Sequence, residues 1–265
     1  MRFGTIASGS SGNSIYIGSD NTHILVDAGI SKKRIEEGLN AYGLGLSDIS
    51  AILVTHEHSD HIQALGVISR KYHIPIMATG LTIGEIKKTK SLGAIDVDVF
   101  HAVKPDIPLQ IGDLTVCPFH ISHDAADPVA YRVECGERSV AVATDLGVYD
   151  DYIVENLSGV NGIVIEANHD VNMLLAGSYP YHLKRRILGN FGHLSNESSG
   201  RLLDRILHDN MKHIFLGHLS KENNFEELAY TTVANEITAS DSVYKANDFD
   251  ICVAKRETFS PLYNV

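Results

Sequence analysis

The stretch Thr55-His56-Glu57-His58-Ser59-Asp60-His61 constrains this chain more than any other. It follows Ile49 to Val54, an apolar run of strand length that reads as a buried strand ending at the motif. The polar side chains therefore sit on a strand-to-helix turn. Extended backbone puts residues two apart on one face, so His56 and His58 can converge on one cation, while the turn aims Asp60 and His61 elsewhere. Two neighbouring divalent metal ions suit this spacing better than one. Imidazole nitrogen with carboxylate oxygen suits zinc, manganese or iron, and a metal pair lowers the pKa of a shared water to roughly 7–9. The expected chemistry is metal-assisted hydrolysis. A solvated, His-rich turn without metal is the bland alternative, and three histidines with an aspartate inside six residues argue against it.

A chain of 265 residues with 44% apolar content can bury a sizeable core, and no linker divides it, so one domain spanning residues 1–265 is expected. Met1 to Ala7 lack the apolar core of a signal peptide, and no apolar run reaches membrane-spanning length. A soluble, cytoplasmic protein without a membrane partner is expected. Cys117, Cys135 and Cys252 are odd in number and form no CxxC pair, so they read as reduced core residues. The net charge of −11 cuts against a nucleic-acid substrate, because such binders usually draw affinity from basic surface. Bound cations would offset part of that charge locally, and a processing enzyme needs a positive site, not a positive body.

The pattern HxHxDH resembles the signature of the metallo-beta-lactamase fold superfamily. Ser8-Gly9-Ser10-Ser11-Gly12-Asn13 and Gly192-His193-Leu194-Ser195-Asn196 resemble its YycJ (WalJ) branch, which is similar to the ribonuclease Z group, enzymes that cut phosphodiesters. The resemblance implies an α/β fold, an αββα sandwich of two mixed sheets flanked by helices, with metals where strand ends meet at one sheet edge.

Taken in order, three short strands open the chain as a meander, with Ser8 to Asn13 a small, flexible turn. Asp27 ends the third strand; by resemblance it supports the metal loop through hydrogen bonds, the alternative being a cap for a helix starting near Ser31. Lys32-Lys33-Arg34 reads as a solvated helix face. His61 to Tyr72 carries helical spacing, and Ile95 to Phe100 reads as a strand. A strand-then-helix pattern restarts at Val160, which suggests an internal pseudo-repeat.

The remaining site candidates lie at strand ends. Leu114 to Phe119 alternates like a strand, and His123 to Tyr131 resembles the ribonuclease Z pattern in which a ligand His precedes a Gly-Tyr strand, with Ala130 in place of Gly. His123 is thus the expected third ligand of the first metal; His120 competes if the register differs. Val140 to Ala143 is a buried strand that delivers Asp145, where a bare charge would cost several kcal/mol without hydrogen bonds or a cation. The resemblance makes Asp145 a bridging ligand. Glu166 follows another buried strand at a position where the ribonuclease Z group orients a catalytic His, while His169 is a candidate substrate contact. Lys212 to Ser220 is a strand ending in Gly217-His218, the family's final ligand motif.

Tyr179 to Asn196 carries His182, Lys184, Arg185, Arg186, two glycines and His193, a plausible anion site, although a basic helix face would read alike. His182, Lys184, Arg186, Ser195 and Asn196 are the expected substrate contacts, and Ser195 can also cap the helix that follows. By resemblance His193 protonates the leaving oxygen or holds the scissile phosphate.

The first metal is assigned to His56, His58 and His123, and the second to Asp60, His61 and His218, with Asp145 between them and Asp60 also orienting the nucleophile. The expected activity is a phosphodiesterase, a nuclease or exonuclease on DNA or RNA. A thioester or lactone hydrolase would use the same centre, but it has no need of the basic groups near His193. A diiron redox enzyme fits less, since His58 stands where those relatives carry a carboxylate. A non-enzymatic, metal-bound binding module is the remaining rival.

Overall fold

In the computed structural model, which describes residues 1–265, the chain forms two seven-stranded sheets laid face to face. The first half contributes β1 (Arg2–Ala7), β2 (Ser14–Gly18), β3 (His23–Val26), α1 (Lys32–Ala41), β4 (Ala51–Leu53), α2 (Ser59–Ile62), α3 (Leu65–Tyr72), β5 (Ile76–Thr79), α4 (Gly80–Lys88) and β6 (Phe100–Val103). The second contributes β7 (Leu109–Ile111), β8 (Leu114–His120), β9 (Val129–Cys135), β10 (Arg138–Ala143), α5 (Asp151–Leu157), β11 (Gly162–Glu166) and α6 (Val171–Ala176). It closes with α7 (Tyr181–Ile187), α8 (Asn196–Ile206), β12 (His213–Gly217), α9 (Glu226–Ala239), β13 (Asp250–Val253) and β14 (Tyr263–Asn264).

The strands are apolar on both faces because both faces are covered. Ile15, Ile17, Ile24 and Val26 of the first sheet meet Val133, Val140, Val142 and Val164 of the second in a central core. The alternate residues Tyr16, Leu25 and Ile52 point outward onto Ile35 and Leu39 of α1 and Leu65 and Ile68 of α3. Likewise Ala141, Ile163 and Ile165 turn to Leu202 and Ile206 of α8 and Val233 of α9. A period of two in the strands thus sorts the chain into four layers, the αββα sandwich expected from the motif resemblance.

Sheet order runs β14-β1-β2-β3-β4-β5-β6 and β13-β12-β11-β10-β9-β8-β7. Each sheet begins with antiparallel neighbours and continues parallel, β3 to β6 in one and β10 to β13 in the other. The repeat in layout therefore restarts at β7, well before Val160, and the terminal β14 crosses back to pair with β1. Parallel strands need crossovers, and their carboxyl ends gather on one edge, which is where α/β sheets build sites.

Three local expectations shift. The helix expected over residues 61–72 is broken at Gln63 and Ala64 into α2 and α3. The Ile95–Phe100 strand is replaced by a 3-10 turn at Val97–Val99, and β6 starts only at Phe100; Val97 is exposed, so the apolar alternation there had no second face to bury. The three cysteines are free thiols in half-buried positions rather than in the core. No helix is long and apolar enough to cross a membrane.

Candidate metal centre

β4 stops at Leu53, the chain bends at Thr55, and the four-residue helix α2 after the extended His58 turns Asp60 and His61 away from the strand line. Asp27, fully buried at the end of β3, holds this turn. Its Oδ1 accepts from Thr55 N at 2.9 Å, and its Oδ2 accepts from Thr55 Oγ1 at 2.9 Å and lies 2.7 Å from His61 Nδ1. Ser31, not Asp27, caps α1. Gly29 lets the turn come close: a Cβ there would sit 1.6 Å from the Asp60 carbonyl oxygen. That carbonyl accepts from Asn13 N at 2.8 Å, so the Ser8–Asn13 turn docks on the metal loop as well.

Seven side chains converge here in two adjoining sets. His56 Nε2 lies 3.0 Å from His58 Nδ1, and His123 Nε2 is 3.3 Å from the same nitrogen. Asp60 Oδ2 lies 3.5 Å from His61 Nε2 and 3.3 Å from His218 Nε2. Asp145 sits between the sets, with Oδ1 at 3.7 Å from His123 Nε2 and 3.5 Å from His218 Nε2, and Oδ2 at 3.1 Å from His61 Nε2.

Four of the five rings have a partner on the nitrogen turned away from the centre, His56 Nδ1 lying 3.0 Å from Thr55 Oγ1. His61 Nδ1 faces Asp27, His123 Nδ1 is 3.0 Å from the Gly192 carbonyl, and His218 Nδ1 is 2.7 Å from Glu166 Oε1. Such partners fix the ring that ligates a metal and leave its Nε2 lone pair facing the centre. Asp145 Oδ2 is buried and has no hydrogen-bond partner despite the nearby imidazole. A buried carboxylate oxygen left so is costly, and five imidazoles with two carboxylates supply the nitrogen and oxygen donors that divalent metal ions take, so the donor set fits them.

The charges divide the rings: burial opposes the charged form of His61 and His218, yet the Asp145 carboxylate beside them outweighs it and raises both, His218 to about 10, so these two give up a proton when a cation binds. Burial, with the His61 ring next to it, pushes His56 well below the usual imidazole range, and burial lowers His123. Burial opposes the ionisation of Glu166, yet the His193 and His218 rings outweigh it and hold the carboxyl down to about 2. For Asp60 too, burial is outweighed, by His61 and His218, and its carboxyl lies far below the usual range.

Three residues of the site carry backbone strain. Asp27, Asp145 and His218 have φ of 63°, 60° and 55°, each just past the end of a buried strand. The left-handed region costs non-glycine residues on the order of 1–3 kcal/mol, and such residues collect at functional sites.

The Beta-lactamase superfamily domain matches residues 22–212. The chain belongs to that superfamily. Exodeoxyribonuclease WalJ of Streptococcus pneumoniae serotype 2 is 39% identical over 265 residues, covering 100% of this chain and 98% of the relative. Exodeoxyribonuclease YycJ of Bacillus anthracis is 42% identical over 234 residues, 88% of each chain. Among solved structures, the metallo-beta-lactamase fold protein YhfI of Bacillus subtilis superposes with a TM-score of 0.71 over 98% of both chains at 16% identity.

The cluster opens into a pocket of about 220 Å³. His58, Asp60, Asp145, His193 and His218 form its floor, and Leu183, Arg186 and Ile187 present one face of α7 as its wall. That volume is below the ~300–1,000 Å³ of pockets that enclose whole small molecules, so it suits one linkage of a longer substrate. His193 reaches the floor with Nδ1 held 2.8 Å from Glu166 Oε1, and Arg186 reaches the wall paired with Asp124, Nη2 to Oδ1 at 2.8 Å.

Other expected contacts lie elsewhere. Lys184 Nζ is spent on the Leu175 and Gly177 carbonyls at 2.6 and 2.7 Å, and His182 is exposed outside the pocket lining. Ser195 caps α8 by accepting from Ser198 N. Asn196 and His169 are buried, Asn196 donating to Asn224 Oδ1 at 3.1 Å. His120 pairs with Asp127 at 3.4 Å, away from the cluster that His123 joins. Sequence reasoning missed Ser10, Asn168, Tyr179 and Ser220, which also line the pocket. The Ser8–Asn13 turn was the available signal for Ser10; the others sit beside motif residues without a pattern of their own.

Proposed function

We propose that this chain is a metal-dependent exodeoxyribonuclease. What carries the reading is that both ligand sets, His193 and Arg186 open onto one shallow pocket, in a chain matched along its whole length by a relative named for that activity. His56, His58 and His123 would hold one divalent cation and Asp60, His61 and His218 the other, with Asp145 shared; zinc and manganese are the ions the imidazole-carboxylate mixture favours. Bound there, the cations would supply an acidified water and offset the charge of a phosphodiester.

The chain's own groups do the rest. Asp60 is the pocket's ionised carboxylate with partial solvent access, its side chain 22% exposed, and can orient the attacking water by accepting a hydrogen bond from it. His193, with Nδ1 fixed by Glu166, presents Nε2 to the pocket and can protonate the departing oxygen. Arg186 offers its remaining N–H groups to a phosphate oxygen, kept in place by Asp124. Leu183 and Ile187 exclude water from that wall.

The test incubates end-labelled single- and double-stranded DNA and RNA with wild type and Asp60→Ala, in zinc and in manganese. Mononucleotides released from DNA ends by the wild type, and lost in the variant, are expected. Full-rate cleavage by Asp60→Ala would overturn the mechanism.

A further inference from the structure

Ser220 lines both the catalytic pocket and a second cavity of about 200 Å³ beside it. Ser10 stands on the first, Arg256 and Lys221 on the second, so a strand leaving the catalytic pocket past Ser220 meets Arg256 next. The guanidinium of Arg256 lies against the Ser8–Asn13 turn. Its Nη1 donates to Ser11 Oγ at 3.0 Å and reaches Ser10 Oγ at 3.5 Å, and its Nη2 donates to the Leu219 carbonyl at 2.7 Å. A Cβ on Gly9 would come 2.8 Å from Nη1, so the guanidinium packs directly against the glycine.

No carboxylate pairs with it directly, although Glu257 acts on it at longer range and Glu226 lines the same cavity. Glu257 pairs with Arg34 at 3.8 Å, Glu226 pairs with Lys255, and Arg34 Nη2 also donates to the Arg256 carbonyl at 2.5 Å. Burial draws Arg256 below the ordinary arginine range. In a chain of net charge −11, a half-buried cation held by neutral oxygens at the rim of the site is short of an anion. Guanidinium has five N–H donors in a planar fork suited to phosphate, and the contacts above leave some of them free.

We infer that Arg256, with the Ser10 and Ser11 hydroxyls and Lys221 beside it, binds a phosphate of the substrate strand adjoining the one being cut. The inference rests on the nuclease reading. It makes Arg256 a specificity-determining residue that favours polynucleotide over an isolated diester.

The test compares kcat/KM for an end-labelled oligodeoxynucleotide with that for bis(p-nitrophenyl) phosphate, which has one linkage and no neighbouring phosphate. In Arg256→Gln the ratio of the two should fall about tenfold, through KM for the oligonucleotide, with a shallower salt dependence of that KM. A ratio equal to wild type overturns the assignment. Arg256 also braces Leu219 beside His218, so metal content is measured in parallel. If Arg256→Gln loses metal, Lys221→Glu, whose side chain is exposed, carries the same comparison: a lower ratio supports the site and an unchanged one overturns it. Wild type that cleaves neither substrate would instead sink the nuclease reading.

Discussion

Glu166 Oε1 stands 2.7 Å from His218 Nδ1, and the same oxygen is 2.8 Å from His193 Nδ1. Its Oε2 accepts from Leu146 N at 2.8 Å and Leu194 N at 3.0 Å, so one fully buried carboxylate ties together a proposed ligand, the proposed acid and the backbone beside Asp145. The register that pairs Glu166 with Gly217 puts His218 next to it.

Glu166→Gln should therefore be far from conservative. An amide offers one oxygen and one NH₂ where four donors converge, so at least one ring or backbone N–H loses its acceptor. Activity should drop about 10–100-fold with weaker metal retention, the usual range for partners that orient ligating histidines. Steady-state kinetics with metal analysis checks this, and wild-type values in both would show that the carboxylate is dispensable.

Gly29→Ala tests the docking of the metal loop. The new methyl would fall 1.6 Å from the Asp60 carbonyl oxygen, a backbone atom tied to Asn13 N, so either β3 or α2 must move. A loss of about 3 kcal/mol or more is expected, and at roughly 2–4 °C per kcal/mol the midpoint should drop by about 10 °C. Calorimetry reads the midpoint, and bound metal should fall with it.

Strand ends explain how much of this centre was legible in the chain. A buried apolar run that stops at a His or Asp announces a polar group the fold must satisfy, and His56, His58, Asp145 and His218 were all found that way. The sandwich was legible only through the motif resemblance, and the apolar strand runs agree with it. Ser195, Asn196, His169 and Lys184 were opaque because their sequence context fits two fates equally. A Ser before a helix can cap it or touch a ligand, and only the position of Asn224, 28 residues on, decides that Asn196 faces inward. The exposed Val97 shows the converse, an alternation with no partner sheet behind one face. Tyr179 and Ser220 carry no period at all, and their place in the pocket follows from how α7 and the loop after β12 fold over it.

His169 supplies a pH dependence independent of the ligands. It is buried, its Nε2 has no hydrogen-bond partner, and burial lowers its pKa from 6.5 to about 4. A folded-state pKa below the unfolded one means the unfolded chain binds the proton first. The stability tied to the neutral ring is complete above pH 6.5 and is lost as pH falls through about 4. At about 1.4 kcal/mol per pKa unit, the loss is of order 3 kcal/mol. In chelator-treated protein, His169→Phe should gain on wild type by that amount between pH 7 and pH 4; parallel profiles in denaturant unfolding would contradict it.

Metal removal should expose what Asp145 costs. Its Oδ2 is buried without a hydrogen bond and its backbone sits at φ 60°, so the apo fold bears both penalties until cations arrive. Ligand held at about 1,000 times its Kd adds roughly 4 kcal/mol, which at about 2–4 °C per kcal/mol raises the midpoint by about 10 °C. Asp145→Asn keeps a residue type that tolerates positive φ but removes the shared charge that lets two cations sit side by side. Its midpoint should hardly respond to zinc, manganese or chelator, while wild type should fall on chelation and recover on reloading. A variant that gains as much from metal as wild type, with two ions bound per chain, would place the bridging charge somewhere other than Asp145.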